Sequence, residues 1–208
     1  PNLITRLTKT EHSLDPDKIH RLRSCGRPCF LTEVKIVDGE GRELPPGELG
    51  EIAVKAPYTM IGYHNLPDVT AETIRDGWVY TGDIGKKDED GYIYLFDRKK
   101  DMIITGGLNV YSSEVEHVIQ KIPGVKQVAV IGVPHHDWGE QVTAVVVKDP
   151  ERPLTEGDIF QYCREHLAAY KRPKEIRFVA ELPLTPYGKV DKKQLRRSYW
   201  EGRDRSIN

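Results

Sequence analysis

The stretch Asp90-Gly-Tyr-Ile-Tyr-Leu-Phe-Asp-Arg-Lys-Lys-Asp-Met-Ile-Ile-Thr-Gly-Gly-Leu-Asn-Val-Tyr111 decides how the chain is divided, because the hydrophobic period changes across it. Upstream, short alternating runs are separated by turn residues. Glu33-Val-Lys-Ile-Val37, then Asp38-Gly-Glu-Gly41, then Gly50-Glu-Ile-Ala-Val-Lys55 predict antiparallel strands with glycine-rich connections. Tyr92-Ile-Tyr-Leu-Phe96 follows the turn Asp88-Glu-Asp-Gly91 in the same style, so residues 28–97 are expected to form a small β-barrel or sandwich piece. Downstream, Val115, Val118, Ile119 and Ile122 fall at i, i+3, i+4 and i+7, the apolar stripe of a helix, with Ser113 and Glu116 as a capping box and Pro123-Gly124 as a stop. Val128–Ile131 and Val142–Val147 are rich in β-branched residues and short enough to be buried strands. A second helix is expected from Thr155, capped with Asp158, through Ile159, Phe160, Cys163 and Leu167. The order β, α, β, β, α, β describes a two-layer α/β domain. The fold class expected is mixed α/β (α+β): a barrel-like piece over 1–97, a connection at 98–101 and a small α/β domain over 102–208.

The connection, Asp97-Arg98-Lys99-Lys100-Asp101, is five charged residues in a row. It reads either as a solvated charge run or as a hinge at a change of architecture. Over the 208 residues, 31 basic against 32 acidic groups leave a formal charge of −1, which excludes a strongly basic nucleic-acid binder and an acidic tail protein. Apolar residues at 38%, with 18 glycines besides, match a globular domain. No apolar run approaches the roughly 18 to 20 residues of a membrane-spanning helix, and the first thirty residues lack a charged-then-apolar leader, so a cytoplasmic protein is expected. Cys25, Cys29 and Cys163 are odd in number and lack zinc-site spacing, and are expected as reduced thiols. The chain opens on Pro1 in what reads as mid-domain, and part of a longer protein is expected.

Three segments carry chemical potential. Tyr80-Thr-Gly-Asp83 sets a carboxylate just after a glycine, where it is either a plain turn or an acceptor for two adjacent hydroxyls such as a ribose offers. Ile104-Thr-Gly-Gly-Leu-Asn109 is a flexible glycine loop entering a helix, suited to letting a narrow ligand pass against bare backbone, or a loop with no further role. Pro183-Leu-Thr-Pro-Tyr-Gly-Lys189 presents one lysine on a proline-stiffened, glycine-hinged arm, able to meet a phosphate or acyl oxygen, or simply solvated.

These segments occur in order with Trp138-Gly-Glu140, Ala168-Ala-Tyr-Lys-Arg-Pro-Lys174 and Leu182–Arg196, and together they resemble the C-terminal portion of the adenylate-forming enzymes: acyl- and aryl-CoA ligases, luciferases and peptide-synthetase adenylation domains. Gly26–Ile52, Gly62-Tyr63 and Asp76-Gly-Trp78 resemble the last subdomain of that family's large N-terminal domain, so the likeness covers essentially the whole chain. The resemblance implies that a carboxylic acid and ATP give an acyl-adenylate, which a thiol then attacks. It implies that Asp83 and Arg98 hold the adenylate ribose, that Lys100 is the hinge of the small domain, and that Lys189 is catalytic, over the carboxylate and α-phosphate. Thr10 and Glu11 fall where the family has a Tyr-Gly-x-Thr-Glu segment whose threonine touches phosphate and whose glutamate ligates Mg²⁺. Leu7 and Thr8 replace its Tyr-Gly pair.

The segment flanking Gly106 and Gly107 resembles the CoA-ligase branch, which implies coenzyme A as acceptor. By the same likeness Gly106 and Gly107 line the pantetheine tunnel, and Trp138, Tyr170 and Arg172 contact CoA. The alternatives are a carrier-protein acceptor and a non-catalytic module that keeps the fold. The expected partners are a small carboxylic acid, ATP, CoA and the upstream remainder of the same enzyme, with no nucleic acid. The family's phosphate loop would lie upstream of Thr10, and the 208-residue chain by itself is expected to be inactive.

Overall fold

The computed structural model describes residues 3–202, and the chain divides between a first unit that ends at Lys99 and a second that begins at Lys100. In the first unit β1 (Thr5–Arg6) pairs with β2 (Arg27–Pro28) as a small antiparallel ribbon. The strands β3 (Glu33–Val37) and β4 (Gly50–Lys55) occupy the residues that alternation predicts, with Glu33 opposite Lys55 and Val37 opposite Glu51. A short helix α1 (Pro67–Thr73) leads into β5 (Ile74–Arg75), the ten-residue β6 (Trp78–Lys87) and β7 (Ile93–Arg98). The inward residues Val34, Ile36, Ile52, Val54 and Ile93 form the core, with Ile4 and Leu44 packed against it.

The sheet order is β3-β4-β6-β5, with β7 also on β6. Among the described residues no barrel closes. Closure needs the two edges to meet, whereas here β3 takes one edge and the short β5 and β7 share the other, along successive parts of β6. The barrel-like expectation is corrected to an open sheet.

The second unit contains β8 (Ile103–Thr105), β9 (Leu108–Val110), α2 (Ser112–Ile119), β10 (Val125–His135), β11 (Gly139–Lys148), α3 (Glu156–His166), β12 (Glu175–Val179) and α4 (Lys192–Arg197). β10 and β11 form a long antiparallel hairpin, β12 adds parallel to β11, and β8 joins where Thr105 meets Gly139. Helices α2 and α3 cover one face, burying Val115, Ile119, Ile159 and Cys163 against Ile103, Val130 and Val142. That burial pushes the Cys163 thiol up to about 11, and all three cysteines are unbridged. Thr155 and Asp158 cap α3 reciprocally, as expected, with Thr155 N–H donating to Asp158 at 2.8 Å and Asp158 N–H donating to Thr155 Oγ1 at 3.2 Å.

At α2 the capping expectation shifts. The helix begins at Ser112 with Tyr111 as N-cap, so Glu116 lies past the third position, and its carboxylate accepts from Val130 N–H at 2.7 Å. The second sheet face, carrying Ala129, Ile131, Val133, Val145 and Val147, is covered by Leu182, Val190, Leu195 and Tyr199. Helix α4 therefore adds a layer that the apolar periodicity does not announce. No helix of the described residues is long and apolar enough to cross a membrane.

Candidate functional site

Asp83 stands inside a strand, not in a turn. Glu51 pairs with Ile84 and Ala53 with Tyr80, so Thr81, Gly82 and Asp83 bulge opposite Ile52 alone. Gly82 takes φ +70°, a conformation that glycine adopts without Cβ strain. The bulge is tied down: Thr81 Oγ1 donates to Ile52 O at 2.8 Å, and Asp83 N–H donates to Thr81 Oγ1 at 3.1 Å. Gly82 N–H donates to Glu51 Oε1 at 3.0 Å, while Lys99 Nζ donates to Glu51 Oε2 at 3.1 Å. Asp83 and Arg98 are register partners on β6 and β7, and Arg98 Nε lies 2.6 Å from Asp83 Oδ1. Sequence reasoning singles out Asp83 and Arg98, which the fold pairs, but not Glu51 and Lys99, which brace the bulge beside them. Their partners lie 31 and 48 residues away, beyond any local pattern.

Glu11 is fully committed within the protein. Thr8 N–H donates to Oε2 at 2.7 Å, and the Thr8 hydroxyl donates to the same oxygen at 2.5 Å. Arg27 Nε and Nη2 donate to Oε1 at 3.0 and 2.7 Å, and Tyr92 Oη donates to it at 2.9 Å. Bonds from Thr8, then Tyr92 and Arg27, hold the Glu11 carboxyl down at about 2. With both oxygens occupied by five hydrogen-bond donors between them, the carboxylate does not fit a Mg²⁺ ligand, which needs a free oxygen lone pair. Thr10 is exposed and shares a 3.0 Å hydroxyl contact with Thr8. Among the described residues no cluster of three or more His, Cys, Asp or Glu could hold a metal.

In the second unit, Gly106 and Gly107 form a two-residue hairpin between β8 and β9 in place of the expected flexible loop. Ile103 pairs with Val110 and Thr105 with Leu108, and both glycines have positive φ, +56° and +78°, as a tight hairpin turn requires. Gly106 N–H donates to Trp138 O at 2.9 Å. A Cβ on Gly106 would come within 3.2 Å of the Trp138 ring, whereas one on Gly107 would meet open space. The indole is 49% exposed, so the hairpin and Trp138 present a bare backbone edge beside an open aromatic face.

The 3-10 turn Ala169–Lys171, carrying Tyr170, packs next to β9. Lys171 Nζ anchors that turn to both oxygens of Glu114 in α2, at 2.7 Å each. Arg172 plays a structural part, because its Nε donates to Leu167 O at 2.9 Å and its Nη2 to Arg164 O at 3.0 Å, satisfying carbonyls at the C-terminal end of α3.

Lys189 sits on a turn closed by Thr185 N–H to Lys189 O at 2.7 Å and Gly188 N–H to Thr185 O at 2.9 Å, flanked by the Leu184–Val190 bridge. Its side chain is exposed, and among the described residues no acidic group pairs with it. Lys100 opens the second unit within the 3-10 turn Lys99–Asp101.

The model of the AMP-binding enzyme C-terminal domain matches residues 114–189, and that of the AMP-binding enzyme matches residues 4–64. The chain is 45% identical over 214 residues to the medium/long-chain-fatty-acid–CoA ligase FadD8 of Mycobacterium tuberculosis, covering 100% of this chain and 37% of that protein. It is 42% identical over 187 residues to the fatty acid–[acyl-carrier-protein] ligase ScoC of Streptomyces coeruleorubidus, covering 90% of this chain and 36% of the relative. Among solved structures, ATP-bound MatB from Rhodopseudomonas palustris superposes with a TM-score of 0.81 at 43% identity, over 85% of this chain and 36% of MatB. The chain thus spans little more than a third of the length of these relatives. It belongs to the adenylate-forming (AMP-binding) enzymes.

Proposed function

We propose that this chain is the C-terminal portion of an ATP-dependent acyl-CoA ligase. In the first half-reaction a carboxylate oxygen of the acid attacks the α-phosphorus of ATP and pyrophosphate leaves. In the second, the sulfur of CoA attacks the acyl carbon and AMP leaves. The observation that carries this reading is Lys189: an exposed ammonium, without an acidic partner among the described residues and fixed on a hydrogen-bonded turn, is a cation held ready for an anionic ligand. Lys189 is assigned to the charge that builds on the α-phosphate and carboxylate. Asp83, half-buried on its bulge, accepts the ribose hydroxyls, with Arg98 donating beside it. Thr10 contributes a hydroxyl to the phosphates. Lys100 is the hinge about which the small domain turns between the half-reactions.

The acceptor side is supported by the Gly106-Gly107 hairpin and its open space, by the exposed Trp138 ring and by Tyr170 on its anchored turn. A pantetheine arm needs bare backbone, and an adenine needs an aromatic face. Arg172 supports this surface chiefly by holding the turn to α3, and two of its five donors are spent there. Glu11 is assigned to the framework of the first unit. The likeness to ScoC, named as a ligase for an acyl-carrier protein, favours a second reading in which the same edge receives a carrier-borne pantetheine.

The test is thioester formation by the full-length enzyme with free CoA and, separately, with a phosphopantetheinylated carrier protein. The ligase reading expects ATP-dependent thioester with free CoA. Product with the carrier alone would select the second reading, and no acyl-AMP from any carboxylic acid tried would reject both.

A further inference from the structure

Helix α4 contains six residues, Lys192–Arg197, and starts where the Asp191 carboxylate accepts from Gln194 N–H at 3.0 Å. Its cations Lys192 and Arg196 are four residues apart and so share a face. Both are sunk in the protein, with side chains 13% and 10% exposed. Arg196 Nη1 donates to Asp101 Oδ1 at 2.9 Å, and Asp101 is itself 14% exposed. Lys192 Nζ donates to Ser112 Oγ at 2.7 Å and lies 2.6 Å from Glu116 Oε1. Just beyond the helix, Trp200 Nε1 donates to Gly132 O at 3.1 Å. On the other side, Asp191 N–H donates to Pro183 O at 2.8 Å, which closes the base of the turn that carries Lys189.

A buried ion pair is a weak source of stability, since apolar replacement is often neutral or better, but it fixes geometry because either partner alone is strongly unfavourable. Asp101 is the residue after Lys100, and Asp191 lies two residues beyond Lys189. The Asp101–Arg196 contact therefore joins the segment following Lys100 to the helix that Lys189 leads into, across 95 residues of sequence. We propose that Arg196, through Asp101, is a positioning residue: it makes α4 a strut that carries any rotation at the Lys99–Asp101 segment to the Lys189 turn. This rests on the roles given above to Lys100 and Lys189.

The experiment uses the full-length enzyme with Arg196→Met, Arg196→Lys and Lys189→Ala, and follows pyrophosphate release and thioester formation from pre-made acyl-adenylate. Arg196→Met is expected to slow adenylation at saturating ATP by about tenfold, with KM for ATP and the thioester step each within about twofold of the parent. Arg196→Lys keeps a cation for Asp101 and is expected to recover adenylation to within about threefold of the parent. Equal losses in both half-reactions, or lysine no better than methionine, would overturn the proposal. Should Arg196→Met not fold, Arg196→Lys decides alone: an adenylation loss larger than its thioester loss supports the strut, and equal losses refute it. If Lys189→Ala slows adenylation and Arg196→Met does not, the strut fails. If Lys189→Ala itself leaves adenylation untouched, the reading of Lys189 fails instead.

Discussion

Arg98 Nε lies 2.6 Å from Asp83 Oδ1, across the register pair that joins β6 to β7, in a contact whose Asp83 and Arg98 side chains are 30% and 55% exposed. An ion pair this open contributes little to stability, so it can yield to a ligand at small cost. Asp83→Ala in the full-length enzyme is expected to raise KM for ATP by about tenfold or more, in line with ~1.5–3 kcal/mol for hydrogen bonds to a charged group. Its unfolding free energy should change by less than about 1 kcal/mol. Steady-state kinetics and a denaturant melt check both, and a large stability loss with unchanged KM would make the pair structural.

The two hairpin glycines should separate packing from acceptor binding. Both lie at positive φ, so an alanine at either is strained by about 1–2 kcal/mol. Only at Gly106 does the new methyl also press on Trp138. Gly106→Ala should therefore be the less stable variant in a thermal melt. Gly107→Ala puts its methyl into open space, where the pantetheine is proposed to pass, and should show the larger rise in KM for CoA. The reverse ranking in both assays would remove Gly107 from the tunnel.

Arg172 is expected to announce its helix-end bonds through stability. Loss of two charge-assisted bonds in Arg172→Ala should cost about 1–3 kcal/mol, read as a lowered denaturation midpoint. Lysine, with no planar fork, should restore only part of it. A variant as stable as the parent, with KM for CoA raised, would return Arg172 to a direct phosphate role.

Thr8 and Glu11 give a pH test. The Glu11 carboxyl titrates at about 2 in the folded protein against an ordinary value near 4.5, so its bonds contribute fully above that ordinary value and are lost as pH falls toward 2. Thr8→Val removes the hydroxyl bond, raises the folded value and should move acid unfolding to higher pH, with stability at pH 7 also reduced. Circular dichroism between about pH 1.5 and 6 follows it, and superimposable acid limbs would contradict the assignment.

What the sequence discloses is what local periodicity encodes. Alternation places β3 and β4 at Glu33–Val37 and Gly50–Lys55, and the Thr155–Asp158 capping pattern places the start of α3. Glycine misleads in two places. Gly82, whose segment reads either as a turn or as a hydroxyl acceptor, sits in a bulge within β6, and Gly106-Gly107 looks like a flexible loop but closes a tight hairpin. The pairs Glu51–Lys99, Lys192–Glu116 and Asp101–Arg196 join residues far apart in sequence, so only the folded backbone brings them together. Glu11 is legible as a motif residue, but its saturation by Thr8, Arg27 and Tyr92 is not.

Lys189 bears the central claim, and its two half-reactions can be measured separately. In the full-length enzyme, Lys189→Ala should slow acid-dependent exchange of pyrophosphate into ATP by on the order of 10²-fold or more, the usual loss for one preorganised transition-state contact. Thioester formation from pre-made acyl-adenylate should stay within about threefold of the parent. Exchange at the parental rate, or equal losses in both half-reactions, would contradict the account.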